Sequence, residues 1–196
     1  DGNFINILNN LRNNTVSAGD VQVLNVHYQA NIPVSESEGV ITLTTHNYKA
    51  DEMNHHALGA LPGQVHHFGA DTDGDFPESM YPVLERIALK EGAQVMFVKN
   101  DPEKAYFNGK LARVEEVNER GITVRMYEGA GDKLAHTTYK LKRETWENKR
   151  YVVNAATKEQ EEQLLGTFEQ YPIKLAWAIT VHKSQGLTFS KAIIDV

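Results

Sequence analysis

Apolar residues at helical spacing open the chain. Phe4, Ile5, Leu8 and Leu11 fall on one face, which predicts a short amphipathic helix over 3–13, stopped by Ser17-Ala18-Gly19-Asp20. Residues 20–28 read as a second short helical turn. Val40-Ile41-Thr42-Leu43-Thr44-Thr45 is β-branched and apolar, the pattern of a buried strand. From Ala50 to Leu61 the residues are helix formers, with Met53, Ala57, Leu58 and Leu61 on one side. Gly63 to Ser79 carries Gly69, Gly74, Pro77 and four acids, and reads as a mobile loop.

At residue 91 the period changes. Ala93-Gln94-Val95-Met96-Phe97-Val98 predicts a strand, and Asn108-Gly109 a tight turn, because both residues tolerate positive φ. Lys110–Val117, Ile122–Tyr127 and Lys133–Tyr139 alternate in character, with Glu119-Arg120-Gly121 and Glu128-Gly129-Ala130-Gly131 as turns. Tyr151-Val152-Val153 reads as the strand that closes the set. Short strands at about ten-residue spacing predict a small barrel. Thr157-x-x-Gln160 fits a capping box opening a short helix through Leu165. The chain then runs through an apolar stretch, Ile173–Thr180, a polar loop and a last apolar strand, Ala192–Val196. The pattern is a small all-β unit inserted into an α/β unit.

Composition bounds this picture. At 196 residues and 41% hydrophobic, the chain can bury one sizeable core or two small ones. No run of about 18 apolar residues exists, so no membrane span is expected. Asp1-Gly2-Asn3-Phe4 lacks an initiator Met and the order of a secretory signal, and reads as a cleavage boundary. The absence of cysteine excludes disulfides and thiolate metal sites and suits a reducing cytoplasm. The net charge of -6 is unevenly spread: residues 1–90 hold 4 Lys+Arg against 11 Asp+Glu, and 91–196 hold 16 against 15. Basic residues gather at Lys140-Leu141-Lys142-Arg143 and Lys149-Arg150, and Lys174, Lys183 and Lys191 face a single late acid, Asp195. Such clusters are either solvated faces or a basic track for phosphates.

Several motifs fail on their chemistry. Asp71, Asp73 and Asp75 lack the glycine placement and the twelfth-position Glu of a calcium loop. Histidines at 46, 55, 56, 66 and 67 lack zinc-binding spacing, and adjacent His55 and His56 cannot face one site on a helix. Asp51-Glu52 follows Tyr48-Lys49-Ala50 rather than an apolar strand, so it is no acidic metal box. No Gly-x-x-x-x-Gly-Lys-Ser/Thr loop occurs, so ATP hydrolysis by this chain alone is not expected.

The informative segment is Leu175-Ala176-Trp177-Ala178-Ile179-Thr180-Val181-His182-Lys183-Ser184-Gln185-Gly186-Leu187-Thr188-Phe189. It offers one cation and several hydroxyl and amide donors in a glycine-ended loop between apolar stretches. At the edge of a parallel sheet such a loop can hold a phosphate backbone. By chemistry alone an ordinary capped loop is the commoner reading.

The string Ala-x-Thr-x-His-Lys-Ser-Gln-Gly closely resembles the motif of RecD-like and Pif-type superfamily-one DNA helicases that contacts single-stranded DNA and the nucleotide interface. Ile41–Asn47, followed by Asp51 and Asn54, resembles the strand and helix opening the second RecA-like domain of that family. Leu89–Asp101 and Phe107-Asn108-Gly109 resemble the entry to its inserted SH3-like barrel, and Phe4–Arg12 the end of its first RecA-like domain. Ala112-Arg113 departs from the family's usual Gly at the barrel hairpin.

The resemblance implies an α/β fold: a partial RecA-like parallel-sheet domain over 33–90 and 151–196, interrupted at 91–150 by an SH3-like β-barrel, with 1–32 the tail of a first RecA-like domain. It implies ATP-driven 5′-3′ translocation on single-stranded DNA, unwinding of forked duplexes, and work in DNA repair and recombination in the cytoplasm or nucleoid. Thr45, Asn47, Thr180, His182, Lys183 and Ser184 would contact the DNA backbone, and Gln185 and Gly186 would link DNA to nucleotide. ATP and Mg2+ would serve the full-length protein, their phosphate loop and acidic box preceding residue 1 and an arginine following Val196. This chain would carry no catalytic residue, metal or bound cofactor, and would work against the upstream RecA-like domain. The rival expectation is a non-enzymatic module whose barrel binds protein or nucleic acid.

Overall fold

The computed structural model describes residues 2–28, 39–128, 135–153, 160–189 and 191–195. The Gly129–Gly131 turn and Thr157 lie outside these residues. The chain forms two compact units, 1–33 and 34–196. The first holds α1 (Gly2–Arg12) and α2 (Ala18–Asn25). Ser17 caps α2: its Oγ accepts from the Asp20 N–H at 3.1 Å, and the Asp20 carboxylate accepts from the Ser17 N–H at 2.9 Å. Asn10 of α1 donates to the same carboxylate at 3.1 Å.

The second unit runs β1 (Ile41–Thr44), α3 (Asn47–Ala60), β2 (His66–Gly69), β3 (Asp71–Gly74), a 3-10 turn (Glu78–Met80), β4 (Arg86–Leu89), β5 (Gln94–Phe97), β6 (Leu111–Asn118), β7 (Gly121–Glu128) and β8 (Ala135–Lys140). It continues through β9 (Glu144–Val153), β10 (Gln160–Gln170), β11 (Ile173–Leu175), β12 (Ala178–Thr180), α4 (Val181–Ser184) and β13 (Ala192–Asp195). β1 is the centre of a parallel sheet ordered β12-β1-β13, with α3 packed on β1 and β12. An antiparallel sheet follows the order β11-β5-β6-β7-β8, and β3-β10-β9 and β2-β4 form two smaller ones. The fold is thus α/β, with a parallel sheet beside antiparallel ones.

β5 shows why the run at 93–98 lacks alternation. All four of its residues are buried. Val95 and Phe97 join the main core with Leu58, Leu89, Val114, Ile122, Val124 and Met126, whereas Met96 joins Ile41, Ala176 and Ile179 under the parallel sheet. One strand serves two cores, which removes the polar face.

Four local expectations are corrected. The segment Gly63–Ser79 is not a mobile loop: β2 pairs with β4 and β3 with β10. These partners are distant in sequence, so local composition carries no trace of them. The helix expected from Thr157 through Leu165 is replaced, over its described part, by β10. β10 pairs with β9 from Gln160↔Val153 to Gln170↔Glu144, and this long ladder overrides the helix preference of Gln, Glu and Leu. Tyr151-Val152-Val153 accordingly belongs to that hairpin and does not close the five-stranded sheet. Among the described residues no ladder joins that sheet's edges, β11 and β8. Finally, Ile173–Thr180 is not continuous: β11 is antiparallel to β5, the chain breaks at Ala176-Trp177, and β12 runs parallel to β1.

Candidate nucleic-acid interface

Parallel pairing aligns the carboxyl ends of β1 and β12, Thr44 opposite Thr180. The segments leaving these ends, Thr45-His46-Asn47 and Val181–Gly186, therefore emerge side by side. β13 flanks β1 on its other side, with Asp195 opposite Thr44. The chain thus reverses its strand order at β1, and the carboxyl edge at such a switch is where open α/β sheets bind ligands.

Local chemistry shapes each loop. Val181–Ser184 closes a single helical turn in which the Ser184 hydroxyl donates to the Val181 carbonyl at 2.7 Å. Gly186 follows with φ +79, a backbone region that side-chain-bearing residues disfavour, and nothing lies within 4 Å of where a Cβ would project. Thr45 Oγ1 and His46 Nδ1 are 2.7 Å apart, and Asn47 begins α3. Thr45, Asn47, His182, Lys183, Gln185 and Gly186 are exposed, while Ser184 is half-buried. Thr180, expected among the DNA contacts, is 4% exposed, because β12 packs under α3. The hydroxyl of Thr44 is buried without a hydrogen-bond partner.

Two buried amides set the approach to this edge. Asn54 of α3 accepts from the Trp177 and Ala178 N–H groups, both at 3.0 Å, and donates to the Ala178 carbonyl at 2.9 Å. Gln94 of β5 donates to the Val40 and Ala176 carbonyls, each at 2.8 Å, and accepts from the Gly39 N–H at 3.1 Å. Together they satisfy the backbone where the chain crosses between sheets, a place where unpaired polar groups are costly. Sequence reasoning passed over both roles. A polar residue within the apolar run 93–98 was the one local signal for Gln94; Asn54 stood out only by family resemblance, which gave it no backbone-bracing role.

Beside α3 lies a groove of about 560 Å³ lined by Asn47, Asp51, His55, Thr180, Lys183, the Tyr81–Glu85 segment and Lys174 of β11. Burial first, and then the like charge of Lys183, hold the Lys174 ammonium below the usual lysine range. In the sequence Lys174 stands out only as a member of a late basic cluster. The structure thus brings the expected loop residues to one edge, buries Thr180, and adds a second lysine. Among the described residues no group of three or more His, Asp or Glu side chains is placed to hold a metal ion. These residues alone do not fit an ATP·Mg2+ site.

No protein-family model matches the chain. It is similar to the ATP-dependent DNA helicase Pif1 of Bdellovibrio bacteriovorus, 25% identical over 201 residues that cover 100% of this chain and 42% of that protein. Among solved structures it resembles unliganded Pif1 from Bacteroides sp, with a TM-score of 0.85 and 36% identity over 100% of this chain and 43% of that one. The Bacteroides Pif1 complex with ADP-AlF3 and ssDNA matches with a TM-score of 0.72 and the same identity and coverage. The chain therefore spans less than half the length of these relatives. By its motif, by matches over its whole length and by its fold, it belongs to the Pif1-like superfamily-one helicases.

Proposed function

We propose that this chain is the C-terminal motor portion of an ATP-dependent 5′-3′ DNA helicase, supplying backbone contacts to single-stranded DNA and the face that couples them to nucleotide. The observation that carries the reading is the convergence of Thr45-His46-Asn47 and Val181–Gly186 at the carboxyl edge of β1 and β12. In this reading Thr45, Asn47, His182, Lys183 and Ser184 orient phosphates, Thr180 positions the turn from beneath, and Gln185 and Gly186 face the nucleotide. Residues 33–90 and 151–196 form a second RecA-like domain and 91–150 an SH3-like insertion, while 1–32 end the first RecA-like domain. ATP, Mg2+ and the DNA fork are met by the whole protein, working in the cytoplasm or nucleoid on repair and recombination substrates. The likeness to a Pif1 structure bound to ssDNA supports the assignment of partner.

The decisive experiment is a salt titration of single-strand binding by the full-length protein. Each lysine–phosphate contact on a single strand contributes about 0.7 to the slope of log K against log salt. Lys183→Ala should lower the slope by about that amount and leave nucleotide affinity intact. An unchanged slope and affinity would make the loop a structural turn.

A further inference from the structure

Among the described residues, most cations close to other side chains are matched. Lys99 pairs with Glu144 at 2.8 Å, Arg143 with Asp71 at 2.7 Å, and Lys149 with Glu147 and Glu162. The buried Lys90 donates to the Leu61 carbonyl at 2.6 Å, at the end of α3. Lys174 and Lys183 are different. They line one groove, and among the described residues neither ammonium has a hydrogen-bond acceptor or an ion-pair partner. A half-buried ammonium facing a like charge is disfavoured twice, by lost hydration and by repulsion. Such an arrangement marks a site that an anion completes.

Asp51, Glu78 and Glu85 also line the groove. Yet neither lysine forms an ion pair with them, and burial, then the like charge of Lys183, holds the Lys174 ammonium below the usual lysine range. The two ammoniums thus share one groove wall without a carboxylate bridging them, and that wall is where an anion would be held. A diester phosphate bridging the two ammoniums would relieve both penalties at once.

We propose that Lys174 is a further phosphate-binding residue, so that the DNA track dips from the 180–186 loop into the groove between α3 and β11–β12. The inference rests on the single-strand reading of that loop and extends it by one phosphate. It also gives Asn54 a purpose beyond folding, since this buried amide fixes the strand between the two lysines.

The test is single-strand affinity for a fluorescent oligo(dT) across a salt series, measured on the full-length protein together with its thermal midpoint. Lys174→Met keeps the apolar stem and removes the charge. It should lower the salt slope by about 0.7. Its midpoint should hold or rise, because the folded state already disfavours the ammonium. Lys174→Arg should keep the slope, and Lys174→Met with Lys183→Ala should lower it by about 1.4. A slope lowered by Lys183→Ala but untouched by Lys174→Met overturns this proposal and leaves the helicase reading in place. Slopes unmoved by either change overturn this proposal together with the single-strand reading of the 180–186 loop. An equal loss of slope in Lys174→Arg and Lys174→Met would mean that packing, not charge, is involved, and it too overturns the proposal.

Discussion

Asn54 shows how much one side chain can hold. Its amide makes three hydrogen bonds to the backbone of Trp177 and Ala178, all buried. Asn54→Ala removes every partner at once and strands two N–H groups and one carbonyl. Leaving a buried polar group unpaired costs about 1–3 kcal/mol. With partial relaxation and water entry the loss should be about 2–5 kcal/mol, read as a lower urea midpoint. Single-strand affinity should fall as well, because Trp177-Ala178 leads directly into Thr180. If stability held within 0.5 kcal/mol, roughly the scatter of surface changes, the strut would be incidental. The late motif was legible at this scale because its residues are consecutive and unusual. Asn54 and Gln94 were not, because their partners stand 124 and 82 residues away. Lys174 was visible as a charge, but its burial depends on the groove wall, which no local pattern encodes.

At the scale of elements, the antiparallel sheet and the end of the 180–186 loop meet at one point. Gly109, in the turn before β6, has φ +95, and a Cβ added there would stand 2.9 Å from Leu187 Cδ2, just past Gly186. Gly109→Ala should therefore both strain the turn and push the loop, at a cost of about 1–3 kcal/mol. Adding Leu187→Ala should recover the steric share, giving a non-additive double-mutant cycle in denaturant unfolding. Strict additivity would mean that the two segments do not press on each other. The same sheet shows where periodicity informs and where it misleads. Val114, Ile122, Val124 and Met126 alternate inward as the sequence requires. β5 departs because its side chains enter two cores, and β10 departs because pairing with β9 outweighs intrinsic preference. One consequence can be checked directly. A protein ending at residue 152 loses β10 from β9 and β11 from β5, so residues 90–175 should melt more cooperatively than residues 90–152.

For the whole molecule, the question is what the gathered residues accomplish without the rest of a motor. The 180–186 loop offers a cation, hydroxyl groups and a free glycine, whereas the phosphate cradle needed for ATP is absent from the sequence. Binding and hydrolysis should therefore separate. The 196-residue chain should bind single strands weakly, given its net charge of -6, and should release no phosphate from ATP above buffer. Rapid DNA-stimulated hydrolysis by this chain would show that the nucleotide site has been misplaced. In the full-length protein the two functions should reunite through Gln185, which is exposed at the end of α4, one residue from Gly186. A coupling residue changes how one site answers the other without supplying much binding itself. Gln185→Ala should thus leave the salt slope and single-strand affinity close to the parent while reducing the stimulation of hydrolysis by DNA. Lys183→Ala should show the reverse at subsaturating DNA: weaker binding, with stimulation recovered when DNA is raised to saturation. Should Gln185→Ala lose affinity in proportion to its loss of stimulation, the residue is a DNA contact like its neighbours, and the coupling face lies elsewhere on the parallel sheet.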